Sequence, residues 1–183
     1  MRKVVPGGRG FPTPGFYRKL KLVLFDVDGV LTDGRIVMTA DGRESKFFDV
    51  KDGSAVKWLS RHGLTIGLLT GRSSAVVEHR ARELGILPEL VRQGAKKKLP
   101  VYLEMSAALG VKEEETAYVG DDLVDLPVLR RVGLPCCPAD ARPEVKGYCR
   151  LVTTVPGGRG AARAVAEWIL RDRGEWPALM RTY

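Results

Sequence analysis

From residue 21 to residue 170, short apolar runs alternate with stretches whose apolar residues recur at three-to-four spacing. KLVLFDV (21–27), LTIGLLT (64–70) and TAYVG (116–120) are unbroken apolar runs. A strand with no polar alternate position is buried on both faces, as in a parallel sheet covered on both sides. Weaker strands are expected near Leu90, at 134–137 and at 150–152. Helices are expected over 53–61, from beyond Thr70 through Leu84, over 97–109, over 123–132 and over 161–170. RIVMTADGRESKFFDV (35–50) reads as a hairpin, with Asp41-Gly42 as the turn. Phe47 and Phe48 then point to opposite faces, so at least one needs cover from elsewhere. Strands alternating with helices imply an α/β fold, a parallel sheet with right-handed crossovers. Ligands bind at the carboxyl ends of the strands in such sheets.

The two ends of the chain break this pattern. Residues 1–18 carry Pro6, Gly7, Gly8, Gly10, Pro12, Pro14 and Gly15, with basic residues and no acids, and are expected to form a flexible basic arm. Residues 19–172 form the expected domain, and 173–183 a tail whose Trp176, Leu179 and Met180 give it something to dock with. PGGRG occurs at 6–10 and again at 156–160, which is too little for a repeat architecture.

Composition narrows the class further. A length of 183 residues fits one domain, and a hydrophobic content of 44% is ordinary for a globular chain. No apolar run approaches the ~20 residues of a membrane span. The start MRKVVPGGRGFPTPG lacks the apolar stretch of a secretory signal, so a cytoplasmic location is expected, with no membrane partner. Cys136, Cys137 and Cys149 are odd in number and lack CxxC spacing, so buried free thiols are expected rather than disulfides or zinc. The net charge of +8 favours anionic partners. Basic residues are spread along the chain and no nucleic-acid module is visible, which points to a small anionic substrate and away from nucleic acid.

Polar residues collect where the topology places a site. The first strand ends in Asp26, Val27, Asp28 and Gly29, the second in Thr70, Gly71 and Arg72, the third in Gly120, Asp121 and Asp122, with Asp125 one turn later. Lys98 opens the intervening helix. Crowded carboxylates repel one another unless a cation neutralises them, and a set of oxygen ligands without histidine favours Mg²⁺ over zinc. Asp26 and Asp28 start on opposite faces of an extended chain and can take different tasks, one attacking phosphorus, the other handling a proton. Gly29 lets the chain turn sharply. Each of DVDG, TGR and GDD is ordinary turn text on its own; their order, one after each buried strand, is far more specific.

FDVDGVLTDG (25–34), LLTGR (68–72), Lys98 and GDDLVD (120–125) resemble the four motifs of the haloacid dehalogenase superfamily. TDGRIVMTADGRESKFFDVKDG, TGRSSAVVEHRARELGI, QGAKKKL, AYVGDDLVDLPVL and GGRGAAR extend the resemblance, over about residues 20–170, to its phosphatase family for 3-deoxy-D-manno-octulosonate (Kdo) 8-phosphate, a sugar acid of lipopolysaccharide biosynthesis. The resemblance implies a Rossmann-like parallel sheet without a cap domain, with the hairpin inserted after the first strand. It implies Asp26 as nucleophile and Asp28 as general acid and base. It implies Mg²⁺ held by Asp26, the Asp28 carbonyl and Asp121, with Asp122 and Asp125 supporting. Thr70 and the Gly71 N–H would bind phosphoryl oxygens, and Lys98 would balance charge. Spacing alone does not choose among Lys96, Lys97 and Lys98; the family pattern selects Lys98. Arg72 and Arg80 are candidates for the substrate carboxylate, Arg80 equally a surface helix arginine. Arg159 lies in what is equally a plain helix-start loop, and the resemblance implies a homotetramer in which it reaches a neighbour's site.

Two other enzymatic readings remain: a phosphatase for a nine-carbon keto-acid 9-phosphate, and a broad sugar-phosphate phosphatase. Arg72 and Arg159 favour the eight-carbon substrate, since relatives with the other preference tend to place an acid there. A reading of another class is a non-catalytic scaffold or basic binding protein; the presence of Asp26, Asp28, Thr70, Lys98 and Asp121 together argues against it.

Overall fold

The computed structural model describes residues 4–11 and 13–183, apart from the Phe16 side chain. The chain begins with β1 (Val4–Pro6), a 3₁₀ turn at Phe16–Lys19 and β2 (Leu22–Phe25). A short hairpin follows, β3 (Val37–Met38) and β4 (Glu44–Ser45), then α1 (Val50–Arg61), β5 (Thr65–Leu69), α2 (Ala75–Leu84), β6 (Val91–Arg92) and α3 (Lys98–Ala108). The second half is built from β7 (Thr116–Val119), α4 (Leu126–Leu129), β8 (Leu134–Cys137), α5 (Pro143–Tyr148), β9 (Leu151–Thr153), α6 (Ala161–Asp172) and α7 (Trp176–Met180).

One sheet takes the order β1-β9-β8-β7-β2-β5-β6, and the hairpin forms its own two-stranded sheet. Every neighbour pair of the large sheet is parallel except β1 with β9. All four residues of β2, and of β7 and β8, are buried, as expected of strands covered on both faces. From β2 the chain proceeds to β5 and β6 on one side, then to β7, β8 and β9 on the other. The reversal places a switch point at the carboxyl ends of β2 and β7, where α/β folds bind ligands. Local chemistry sets the helix ends nearby. The Asp49 side chain caps α1 by accepting from the Lys51 N–H, Ser74 caps α2 through Val76, and Gly85 closes α2 in the left-handed region.

The structure corrects the expectation of a flexible arm. Val4–Pro6 pairs antiparallel with β9, Gly7 and Gly8 donate to Arg150 and Lys146 carbonyls, and Tyr17 and Leu20 are buried. An edge strand such as β9 exposes unpaired backbone groups, and β1 covers them. Residues 1–3 and 12 of that segment lie outside the described residues. The tail docks: Leu179 is buried, Trp176 meets Trp58 edge-on at 6.0 Å, and Trp58 Nε1 donates to the Tyr183 hydroxyl at 2.9 Å. The helix expected over 123–132 is split into a 3₁₀ turn at Leu123–Asp125 and the short α4, because Asp125 turns its side chain back onto the Asp121 and Asp122 N–H groups. The three cysteines are free and buried. Among the described residues, no helix is long and apolar enough to cross a membrane.

Candidate active site

Strands β7, β2 and β5 are neighbours, so the loops that follow them stand side by side, and β6 delivers the start of α3 next to them. Asp26 follows β2 directly and continues its ladder, its N–H donating to the Val119 carbonyl at 2.9 Å. Its side chain is held at both oxygens. Oδ1 accepts the Val27 N–H at 2.7 Å, and Oδ2 lies 2.7 Å from Lys98 Nζ.

Lys98 is 2% exposed and its ammonium has three partners: Asp26, Asp125 Oδ1 at 2.6 Å and the Tyr118 hydroxyl at 3.1 Å. Asp125 is fully buried and saturated. Its Oδ1 takes Lys98 and the Tyr118 O–H (2.5 Å), its Oδ2 the N–H groups of Asp121 (2.9 Å) and Asp122 (3.1 Å). Asp121 is different. Its Oδ1 is buried without a hydrogen-bond partner. Asp26, Asp121 and Asp125 offer oxygens that all lie within 4.8 Å of one another.

The electrostatics follow from three carboxylates sharing one lysine. Burial pushes the Asp26 carboxyl above its ordinary range, Lys98 pulling it down and Asp125 adding to the rise. Asp121 is pushed up to about 8, by burial first and then by Asp125 and Asp26. For Lys98, burial disfavours the ammonium, but Asp26 and Asp125 together override it and raise the pKa. The cluster is short of positive charge. A hard divalent cation fits it, since the donors are all oxygen and one buried carboxylate oxygen lacks a partner.

Around this centre the other loops close in. Thr70 is buried, its N–H donating to Arg92 O at 2.9 Å and its carbonyl accepting from Ala95 N at 3.0 Å, which ties the β5 loop to the loop carrying Lys98. A Cβ on Gly71 would meet only Ala95 O at 3.9 Å, so there is room beside it. Asp28 contacts Lys46 of the hairpin at 2.5 Å and Arg72 Nε at 3.8 Å. The loop 157–160 backs onto the 27–33 loop: Gly158 N donates to Val30 O at 2.9 Å, and a Cβ on Gly157 would fall 1.9 Å from Gly29 O. Asp52 fixes that loop from behind, accepting from Gly160 N (3.1 Å) and Arg163 N (2.8 Å). Burial pushes the Asp52 carboxyl up to about 6.

The haloacid dehalogenase-like hydrolase profile matches residues 46–133. The chain is 42% identical over 151 residues to the 3-deoxy-D-manno-octulosonate 8-phosphate phosphatase KdsC of Yersinia pestis, covering 82% of this chain and 80% of that one. The chain belongs to this phosphatase family. Its fold is similar to the Moraxella catarrhalis 3-deoxy-D-manno-octulosonate 8-phosphate phosphatase, solved in complex with a magnesium ion, a phosphate ion and a KDO molecule (TM-score 0.88, 36% identity, 93% of this chain and 99% of that one). It is similar also to a probable YrbI family phosphatase from Pseudomonas syringae (TM-score 0.89, 42% identity, 94% and 98%).

Not every residue singled out in the sequence joins the centre of this Kdo 8-phosphate phosphatase family member. Asp26, Lys98 and Asp121 converge; Lys96 and Lys97 are exposed. Asp122, expected to support the metal shell, does not turn inward. It is exposed and its carboxylate accepts the Leu123 N–H at 2.7 Å, because the turn that starts there needs a cap. Asp125 supports the others. Arg80 is engaged at the seam of α1 and α2: it pairs with Glu83 at 2.7 Å, covers the Phe48 ring at 5.4 Å, and would collide with a Cβ on Gly53. Arg159 is exposed.

Three participants were not read from the sequence. Tyr118 lies within the apolar run TAYVG, yet its hydroxyl bridges Lys98 and Asp125; a buried tyrosine one residue before the end of its strand needs a polar partner, which was the available signal. Glu44 and Lys46 lie two apart in the hairpin, hence on one face, and their opposite charges marked a face turned towards polar company.

Proposed function

We propose that the chain hydrolyses the phosphomonoester of Kdo 8-phosphate, a phosphorylated sugar acid, through a phosphoryl group carried transiently on Asp26. The observation that carries this reading is the buried Asp26 carboxylate, fixed by Lys98 and the Val27 N–H beside the unpartnered Asp121 oxygen. Asp26 and Asp121, with the Asp28 carbonyl, would hold Mg²⁺, which when bound shields the charge between an anionic nucleophile and an anionic phosphate.

Asp26 attacks phosphorus, splitting one hard displacement into two easier ones. Asp28 gives a proton to the departing alcohol and then takes one from the water that frees Asp26. Lys98 keeps Asp26 aimed and neutralises charge as it builds on the phosphoryl oxygens. Thr70 and the Gly71 N–H bind those oxygens. Arg72 offers a planar, two-pronged donor to the sugar-acid carboxylate. Arg159 contacts substrate across a subunit boundary in a homotetramer, and the enzyme works in the cytoplasm.

The test is phosphate release, with Mg²⁺ and with chelator, from Kdo 8-phosphate, a nine-carbon keto-acid 9-phosphate and a panel of plain sugar phosphates. A preference for Kdo 8-phosphate that vanishes with chelator supports the reading. Equal, feeble turnover of every compound keeps the chemistry and removes the substrate assignment. No turnover by folded, Mg²⁺-loaded protein restores the scaffold reading.

A further inference from the structure

Four charged side chains from three segments, Asp28, Glu44, Lys46 and Arg72, form a ring. Lys46 Nζ lies 2.5 Å from Asp28 Oδ1 and 3.3 Å from Glu44 Oε1. Arg72 Nη2 lies 2.9 Å from Glu44 Oε1, and its Nε 3.8 Å from Asp28 Oδ2. Charge alternates around the ring, so each Asp28 oxygen faces a cation. The Thr32 hydroxyl adds a long contact to Oδ1 at 3.4 Å.

Lys46 is the unusual member. Apolar residues of the hairpin stand in solvent, Met38 55% and Phe47 71% exposed, yet the Lys46 side chain is 1% exposed. An ammonium leaves water only when strong partners replace it. Glu44 on its own hairpin was available as a surface partner. Lys46 takes that partner and also spans 18 positions to reach the Asp28 carboxylate. Glu44 seats the lysine and balances its charge, while Arg72 holds the far side of the ring.

We propose that Lys46 is a positioning residue for proton transfer to the leaving group: seated by Glu44, its ammonium fixes the Asp28 carboxyl in the orientation from which it serves the phosphoester oxygen. The inference rests on the reading of Asp28 as the acid. When the P–O bond breaks, its electron pair stays on the alcohol oxygen, which takes the proton from Asp28. The resulting carboxylate remains against Lys46 and recovers a proton from the water that attacks the phosphoryl group on Asp26. Lys46 keeps its own proton throughout.

The role separates substrates by leaving group. An alkyl phosphate such as Kdo 8-phosphate needs a proton on its departing oxygen; p-nitrophenyl phosphate does not. The experiment compares kcat and KM of wild type, Lys46→Met, Lys46→Arg and Asp28→Asn on both compounds with saturating Mg²⁺. Lys46→Met should lower kcat on the alkyl phosphate by about 30-fold or more, within the usual range for general acid catalysis, and on p-nitrophenyl phosphate by less than about threefold. KM should change little, and Lys46→Arg should restore part of the loss. Should Lys46→Met fail to fold, Glu44→Gln, which removes the seat and keeps the lysine, should show the same leaving-group pattern in weaker form.

Equal losses on the two compounds, or a loss confined to KM, overturn the role of Lys46. The underlying reading fails separately: wild type would then turn over neither compound, or Asp28→Asn would leave turnover of the alkyl phosphate undiminished.

Discussion

Gly29 shows how narrowly single residues are specified at the rim. Its φ is +85°, and a Cβ there would fall 2.1 Å from Asp121 Oδ2. Both the backbone conformation and the space exclude a side chain. Gly29→Ala should fold, displace the Asp121 carboxylate and lower kcat/KM by about 100-fold, the scale of a misplacement near 1 Å. Kinetics together with Mg²⁺ titration calorimetry check it, weakened Mg²⁺ binding being the expected companion.

The raised carboxyls make a second residue-scale prediction. Asp121 titrates at about 8 in the folded, metal-free protein against an ordinary 3.8. The folded state therefore keeps a proton that the unfolded chain has released. That contribution to stability is complete below about pH 4 and is lost as pH rises to about 8, with Asp52 acting in the same direction over a narrower window. In EDTA, Tm should fall as pH rises across this range. The added stability from Mg²⁺ should be larger at about pH 8 than at about pH 5, because a metal ligand must be ionised. Differential scanning fluorimetry measures both trends.

Single residues were legible where the motif and the strand end coincided. Asp26 and Asp121 follow buried apolar runs directly, and Lys98 opens a helix. Asp122 is less legible, because a cap and a metal ligand are both a carboxylate after a strand, and only the direction of the side chain distinguishes them. Lys46 escaped notice because its partner lies 18 residues away.

At the scale of elements, the N-terminal segment carries the clearest departure. Glycine and proline suggested mobility, yet tertiary contacts decide: a three-residue strand is too short to show a period, and its stability comes from covering β9. Tyr17, fully buried beside the edge of the Trp168 ring at 5.1 Å, anchors the segment. Tyr17→Ala should lower unfolding free energy by about 3–5 kcal/mol, in line with other large aromatic truncations, while kcat stays within about twofold. Urea unfolding followed by tryptophan fluorescence checks the first part and steady-state kinetics the second. The buried strands were legible because their apolar runs are unbroken, and the longer helices because their apolar residues recur at three-to-four spacing; α5, short and led by Pro143, offered neither signal.

For the whole molecule, the alternation of strands and helices gave the α/β class, but the order of strands comes from packing. That order turns four separate loops into one rim. The surface raises a further expectation. Ile36, Met38, Phe47 and Val50 are 54%, 55%, 71% and 77% exposed on and beside the hairpin, an apolar patch suited to contact between copies. Phe47→Asp should shift the proposed tetramer to smaller species in light scattering coupled to size exclusion.

The central claim is that Asp26 carries the phosphoryl group. Rapid acid quench during turnover of Kdo 8-phosphate, followed by mass spectrometry of the peptide containing residues 22–35, tests it most directly. A phosphoryl adduct on Asp26, dependent on Mg²⁺ and absent in Asp26→Asn along with turnover, is the predicted result. Undiminished turnover by Asp26→Asn, or an adduct on any other residue, would contradict the account.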